Sequence, residues 1–215
     1  MRSSSFRIAA VVVTLLLPLL SADARAQSCL TMAGNLVLNC SFENPMPTGN
    51  GVVYPFAPVD HWLSTGNEST GIFERWTFYD GFAARDGGSH LELNVNSPTS
   101  IYQSLATVAG QQYTVGFSAA NRPGSGFSLI NVYMNNVLFF STGQIVAPYQ
   151  WQDFSTSFVA SGATTVRFEG AGNGGSYGDF IDNVSVASVV PEPATLAMLG
   201  VGFVGLVVVG RHRRR

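Results

Sequence analysis

Tyr54, Trp76, Tyr79 and Tyr177 are the residues of this 215-residue chain best suited to meeting a ligand. Aromatic faces stack on pyranose rings, and neighbouring amides or carboxylates bind ring hydroxyls. Asn94, Asn96, Gln103 and Asn121 are the polar partners available. Tyr54, Trp76, Tyr79, Asn94 and Tyr177 therefore form the candidate glycan-binding set. Packing is the competing role for each aromatic. Trp76 lies in Phe73-Glu74-Arg75-Trp76-Thr77-Phe78, where alternation buries either face.

Catalysis has no comparable set. Asp60 and His61 are adjacent, which does not make a triad. Gly174-Gly175-Ser176-Tyr177-Gly178 spells Gly-x-Ser-x-Gly, but no strand-to-helix unit follows it to make a nucleophile elbow, and there is no metalloprotease helix or phosphate loop. Two carboxylates can hydrolyse a glycoside, but no pair among the acids is singled out by spacing. The sequence predicts a protein that is not an enzyme.

The elements that must position these residues are short and alternating. Strands are predicted at 35–42, 71–78, 90–95, 101–105, 112–119, 129–134, 137–140, 152–159, 164–169 and 180–186. Leu91, Leu93 and Val95 share one face, as do Tyr113, Val115 and Phe117. Asn135-Asn136 fits a two-residue hairpin turn, because Asn tolerates positive φ. The glycine-rich stretch 170–178 reads as a loop before the last strand. The class is all-β, a sandwich or barrel spanning residues 27–189.

Both ends read as targeting segments. Arg2 and Arg7 precede the apolar run 8–20, and Ala24-Arg25-Ala26 is a small-x-small cleavage site. Residues 1–26 are thus a signal peptide; the run is short for a transmembrane anchor. At the other end, residues 190–215 hold Val190-Pro191-Glu192-Pro193, an apolar run over 194–210 and the basic end Arg211-His212-Arg213-Arg214-Arg215. At ~1.5 Å per residue that run gives a helix of about 25 Å, near the lower limit for a bilayer. The terminal arginines keep that end cytoplasmic, so the domain faces outward. An unprocessed tail anchor is the alternative.

Between the ends, four arginines face eleven acids, a net −7 that the whole-chain value of −2 conceals. Such a surface repels nucleic acid and favours cations or neutral ligands. The only cysteines, Cys29 and Cys40, both lie in the exported part, where an oxidising compartment favours their pairing.

Pro191, Glu192 and Pro193, the apolar span and the arginine cluster together resemble the PEP-CTERM sorting signal. The resemblance implies recognition and removal of the tail by an exosortase-type enzyme. It implies an exported protein, held in the inner membrane through the helix at 194–210 and then released to the cell surface or extracellular matrix. The domain resembles the galactose-binding-like jelly roll of carbohydrate-binding modules and DUF642-type proteins. The resemblance rests on Asn35-Leu36-Val37-Leu38-Asn39-Cys40-Ser41-Phe42-Glu43 at the start and Gly178-Asp179-Phe180-Ile181-Asp182-Asn183-Val184-Ser185-Val186 at the end. His61-Trp62, His90-Leu91-Glu92-Leu93, Ile101-Tyr102-Gln103 and Trp151-Gln152-Asp153-Phe154 lie between them. Cys40 replaces the usual glycine, and residues 44–60 form an insert.

The resemblance implies a structural calcium where the first and last strands meet. Glu43 and Asp182 lie in the relevant motifs, with Asp86 and the Ser89 carbonyl nearby; calcium favours such oxygens. The alternative is that these carboxylates cap turns. The implied function is a non-catalytic surface or matrix protein whose jelly roll binds glycan or exopolysaccharide. A purely structural surface protein and a carbohydrate-active enzyme are the alternatives.

Overall fold

The computed structural model describes residues 27–45, 49, 51–53, 59–65, 73–94, 99–173, 177–189 and 202. The signal segment 1–26, the sorting residues Pro191, Glu192 and Pro193, and the span 194–210 apart from Gly202 lie outside these residues. Among the described residues, no helix is long and apolar enough to cross a membrane.

The described strands form two antiparallel sheets. In chain order they are β1 (Gly51–Val53), β2 (Leu63–Ser64), β3 (Phe73–Thr77), β4 (His90–Leu93), β5 (Ser100–Leu105) and β6 (Gln112–Asn121). Then come β7 (Ile130–Met134), β8 (Val137–Ser141), β9 (Gln152–Val159), β10 (Thr164–Gly170) and β11 (Asp179–Ser188). One sheet has the order β1-β3-β4-β11-β6-β9, the other β2-β5-β10-β7-β8. The expected sandwich is therefore present, and β9 has the predicted bounds.

Alternation places the core. Leu91, Leu93, Phe117 and Ile181 from the six-stranded sheet meet Ile101, Val132, Val166 and Phe168 from the other. Tyr113, Val115 and Phe117 are all buried on one face, as their spacing requires. Trp62 closes this core against Phe42 and Phe168, at ring distances of 5.5 and 6.3 Å. The β7–β8 turn has φ of 50° at Asn135 and 66° at Asn136, the left-handed pair a tight hairpin requires.

One predicted strand does not form. Residues 35–42 make a single bridge, Asn35 to Ala187, and then turn. The asparagine side chains compete with the ladder. Asn35 Oδ1 accepts from the Val37 and Val186 amides, and Asn39 Nδ2 donates to the carbonyls of Asn44 and Asp60. Asn39 and Phe42 have φ of 49° and 60°, outside the extended region. The Cys29–Cys40 disulfide forms as expected and ties this segment to the start of the domain.

Candidate functional site

The outer face of the six-stranded sheet carries the candidate site. The pairings Glu74↔Glu92, Trp76↔His90, Phe180↔Glu92 and Phe180↔Ala120 set these residues side by side on the face opposite Leu91 and Leu93. A sheet face bearing Trp76 and Phe180 must be covered. The segment after β3 does this: it turns through Phe78 and Asp80, at φ of 48° and 52°, and drops Phe82 onto the sheet. Phe82 stacks on Trp151 at 5.1 Å and on Tyr149 at 4.7 Å. The Trp151 indole N–H donates to the Ala83 carbonyl at 3.0 Å and holds the cover in place.

His90 is enclosed by this second cluster. Its ring lies 4.8 Å from Phe180, 5.3 Å from Trp151, 5.4 Å from Phe82 and 5.9 Å from Trp76. Among the described residues, neither ring nitrogen has a hydrogen-bond partner. Burial pushes its pKa down to about 3, so the imidazole is neutral.

Beside it stands a buried charge pair. Arg122 donates to Glu92 Oε1 at 2.7 Å, and the Gly178 amide donates to the same oxygen. Burial pushes the Glu92 carboxyl up to about 7, with Glu74 adding in the same direction and Arg122 and Gly178 opposing. The Arg122 guanidinium lies between two rings, 4.8 Å from the Trp76 centroid and 4.7 Å from that of Tyr177. Tyr79 meets Trp76 edge-on at 4.9 Å.

Three of the predicted sugar-binding residues, Trp76, Tyr79 and Tyr177, thus converge. Tyr79 and Tyr177 are exposed, at 42% and 45%, around the Arg122–Trp76 stack. Trp76 is fully buried, so it supports the site and does not itself present a face to a ligand. Asn94 is also corrected: it is 2% exposed, and its side chain holds Asp179. Gln103 and Asn121 are buried too; Gln103 bonds the amide and carbonyl of Leu38, and Asn121 the Val146 carbonyl. Tyr54 and Asn96 lie outside the described residues. Sequence reasoning did not assign Arg122, Glu92, His90 or Phe82 to a site. The available signal was His90 and Glu92 alternating with Leu91 and Leu93, two polar residues on a strand that is buried throughout.

Glu43, Asp86, Ser89 and Asp182 do meet, at the junction of the domain's first and last segments. Their lone pairs, however, receive N–H and O–H donors. Asp182 Oδ2 accepts from the Arg85 and Asp86 amides at 2.8 and 2.9 Å, and Oδ1 accepts from Asn183 N and Ser41 Oγ. Glu43 Oε1 accepts from the Gly88 and Ser89 amides at 2.9 and 2.8 Å. The Asp86 carboxylate accepts from Ser28 Oγ. Amide protons directed at Asp182 and at Glu43 Oε1 satisfy these oxygens without a cation, which is the turn-capping alternative. Burial raises Asp182 well above the usual carboxylate range, which favours a proton there. Among the described residues, no group of three or more His, Cys, Asp or Glu is disposed to hold a metal.

Among curated proteins, none matches this sequence. Solved structures similar in fold include TmCBM61 in complex with β-1,4-galactotriose: 15% identity, TM-score 0.51, 72% of this chain and 98% of that one. They also include a family 16 carbohydrate-binding module (15%, TM-score 0.48, 71% and 99%). A third is a family 35 carbohydrate-binding module from Clostridium thermocellum (12%, TM-score 0.43, 63% and 97%). At such identities the likeness is one of fold. The PEP-CTERM protein-sorting motif matches residues 189–215, the tail that its three-part order had indicated. The family described as protein of unknown function (DUF642) matches residues 80–187, half of the chain, and this chain belongs to that family.

Proposed function

We propose that the protein is an exported, non-catalytic surface or matrix protein whose β-sandwich binds glycan at the Tyr79–Tyr177 end of the six-stranded sheet. The single observation that carries this reading is two exposed tyrosines beside a guanidinium fixed by Glu92 and Trp76. The tyrosine faces supply stacking surface, and the polar groups beside them supply hydrogen bonds to hydroxyls. The fold shared with a carbohydrate-binding module is consistent with that use. The sorting motif supports exosortase processing and anchorage in the inner membrane before release to the cell surface or matrix. The binding proposed here uses no cation.

A glycan array probed with the full-length protein and with Tyr79→Ala/Tyr177→Ala tests it. Each stacked ring is worth about 1 kcal/mol. The double variant should therefore lose roughly tenfold or more in affinity for any glycan that the wild type retains. Unchanged binding by the double variant removes the tyrosines from the site.

A second reading, a carbohydrate-active enzyme, is favoured by Glu74 and Glu92 lying opposite one another across β3 and β4, with Glu92 holding its proton near neutral pH. Such a pair is similar to the acid and its partner in glycoside hydrolysis. The Glu92 side chain is fully buried, however, and hydrogen-bonded to Arg122 and Gly178, which hinders the approach of a glycosidic oxygen. Binding without turnover is the reading retained.

A further inference from the structure

The other end of the same outer face holds a trough of about 530 Å³, away from Trp76, Tyr79, Asn94 and Tyr177. Its floor follows from strand register. The central row pairs Ser185 with Gly116 and Gly116 with Ser155 across β11, β6 and β9. The flanking row pairs Ala187 with Thr114 and Thr114 with Ser157, and the hydroxyls of Thr114 and Ser157 are 3.2 Å apart. The outward-facing floor of this patch therefore carries glycine, alanine and small hydroxyls, and Met32, Phe117 and Phe154 complete the lining. Gly116 deepens it: a Cβ there would stand 2.9 Å from Ser185 Oγ.

One wall is the first described segment of the chain. Met32 and Ala33 line it, and covalent and hydrogen-bonded ties hold it against β11. The Cys29–Cys40 disulfide is one tie. The Cys29 amide donates to Asn183 Oδ1 at 2.6 Å, and Asn183 Nδ2 donates to the Gln27 carbonyl at 3.2 Å. Asn183 is available because β11 bulges between Asp182 and Ser185. Along β9, Asp153 stands between Trp151 of the aromatic cluster and Ser155 of the trough. Among the described residues it is the one charged side chain in the lining, and Arg85 pairs with it at 2.8 Å.

We infer that this trough is a second subsite for a neutral, hydroxyl-rich saccharide chain. The inference rests on the glycan-binding reading above and extends it to the class of sugar. Serine and threonine hydroxyls both donate and accept, which matches sugar hydroxyls. The volume lies within the range of small-ligand sites. The lining has no unbalanced charge on a domain of net −7, so a uronate gains no cation there and is repelled by the domain as a whole.

Calorimetry on the full-length protein with β-1,4-galactotriose, cellotetraose and trigalacturonate tests the class. A neutral oligosaccharide should bind, and trigalacturonate at least about tenfold more weakly. Ser155→Trp, at an exposed position, fills the trough and should cost about tenfold or more in affinity. Ser155→Ala/Ser185→Ala removes hydroxyls without adding bulk and should weaken binding in the same direction. Wild-type affinity in both variants overturns the trough, as does preferential binding of trigalacturonate. If Tyr79→Ala/Tyr177→Ala abolishes binding while both trough variants leave it intact, the trough fails and the glycan reading stands. A wild type that retains nothing on the glycan array removes the glycan reading and the trough with it.

Discussion

The His90 imidazole, with neither nitrogen partnered among the described residues and an aromatic cluster around it, forfeits hydrogen bonds that water would supply, a cost of about 1–3 kcal/mol. His90→Phe should therefore raise the melting temperature. Its pH dependence follows from linkage. The folded pKa of about 3 lies below the ordinary 6.5, so the neutral histidine's contribution is complete above pH 6.5 and is lost as pH falls towards 3. Glu92, raised from 4.5 to about 7, has the opposite sign: its contribution is complete below pH 4.5 and is lost as pH rises through 7. The two oppose each other between pH 4.5 and 6.5. Replacing His90 removes one of them, so the gain of His90→Phe over wild type should be larger at about pH 5 than at about pH 7. Equal gains at both pH values would show that His90 does not titrate on unfolding. Asp182 makes a second case. Asp182→Ala strands the amide donors of Arg85, Asp86 and Asn183, at about 1–3 kcal/mol for each buried group left unpaired. Scanning calorimetry should show a large fall for the variant, and equal melting of the wild type with and without a chelator. A chelator-dependent drop would restore the cation.

Among the elements, the N-terminal segment depends on cross-links where a strand ladder is missing. Residues 35–42 turn instead of forming a ladder, and the disulfide and the asparagine contacts add to two backbone bonds with β11, from the Leu36 amide to the Val186 carbonyl and from the Val184 amide to the Cys40 carbonyl. On the chain-entropy account, a bridge across so short a loop stabilises by about 3 kcal/mol. Cys29→Ser/Cys40→Ser should lower stability by about that amount in urea unfolding, and reductant should do the same to the wild type. A loss of less than about 0.5 kcal/mol would mean that the hydrogen bonds of the segment hold it without the disulfide. The segment after β3 is the contrasting element. Its turn at Phe78 and Asp80 is irregular, yet Phe82 and the Trp151 hydrogen bond fix it on the sheet. It thereby holds Tyr79 beside Trp76.

Across the whole molecule, the six-stranded sheet is covered on both sides over part of its area. The inter-sheet core covers one face and the aromatic cluster part of the other, which is why β4 is buried throughout. The outer face is thus divided into an aromatic end and a hydroxyl end, with the Arg85–Asp153 pair between them. The matched sorting motif lies at the C-terminal edge of this domain and beyond it. Intact-mass measurement of the exported protein should show cleavage after Ala26 and loss of the tail near Pro191 to Pro193. A mature species that still carries Arg211 to Arg215 would mean that the motif is not processed.

Features that depend on local order along the chain were legible without coordinates. The Asn135-Asn136 turn, the alternation of Tyr113, Val115 and Phe117, the β9 bounds and the three-part tail are all of this kind, because each signal lies within a short stretch. The pairing of Cys29 with Cys40 was legible because no other cysteine competes. The site itself depends on which residues distant in sequence become neighbours, and that waited for the folded chain. Trp76 and Tyr79 are close in sequence, yet one is buried and the other exposed. The reason is that β11 lies beside β4 and carries Phe180 to the Trp76 ring. Arg122 joins Glu92 and Tyr177 in the same way, through the pairing of β6 with β11. Glu43 and Asp182 show the division most clearly. Their motifs brought them to one junction, but the amides that meet Asp182 and Glu43 Oε1 there come from the path of residues 85–89, which local composition and spacing do not reveal.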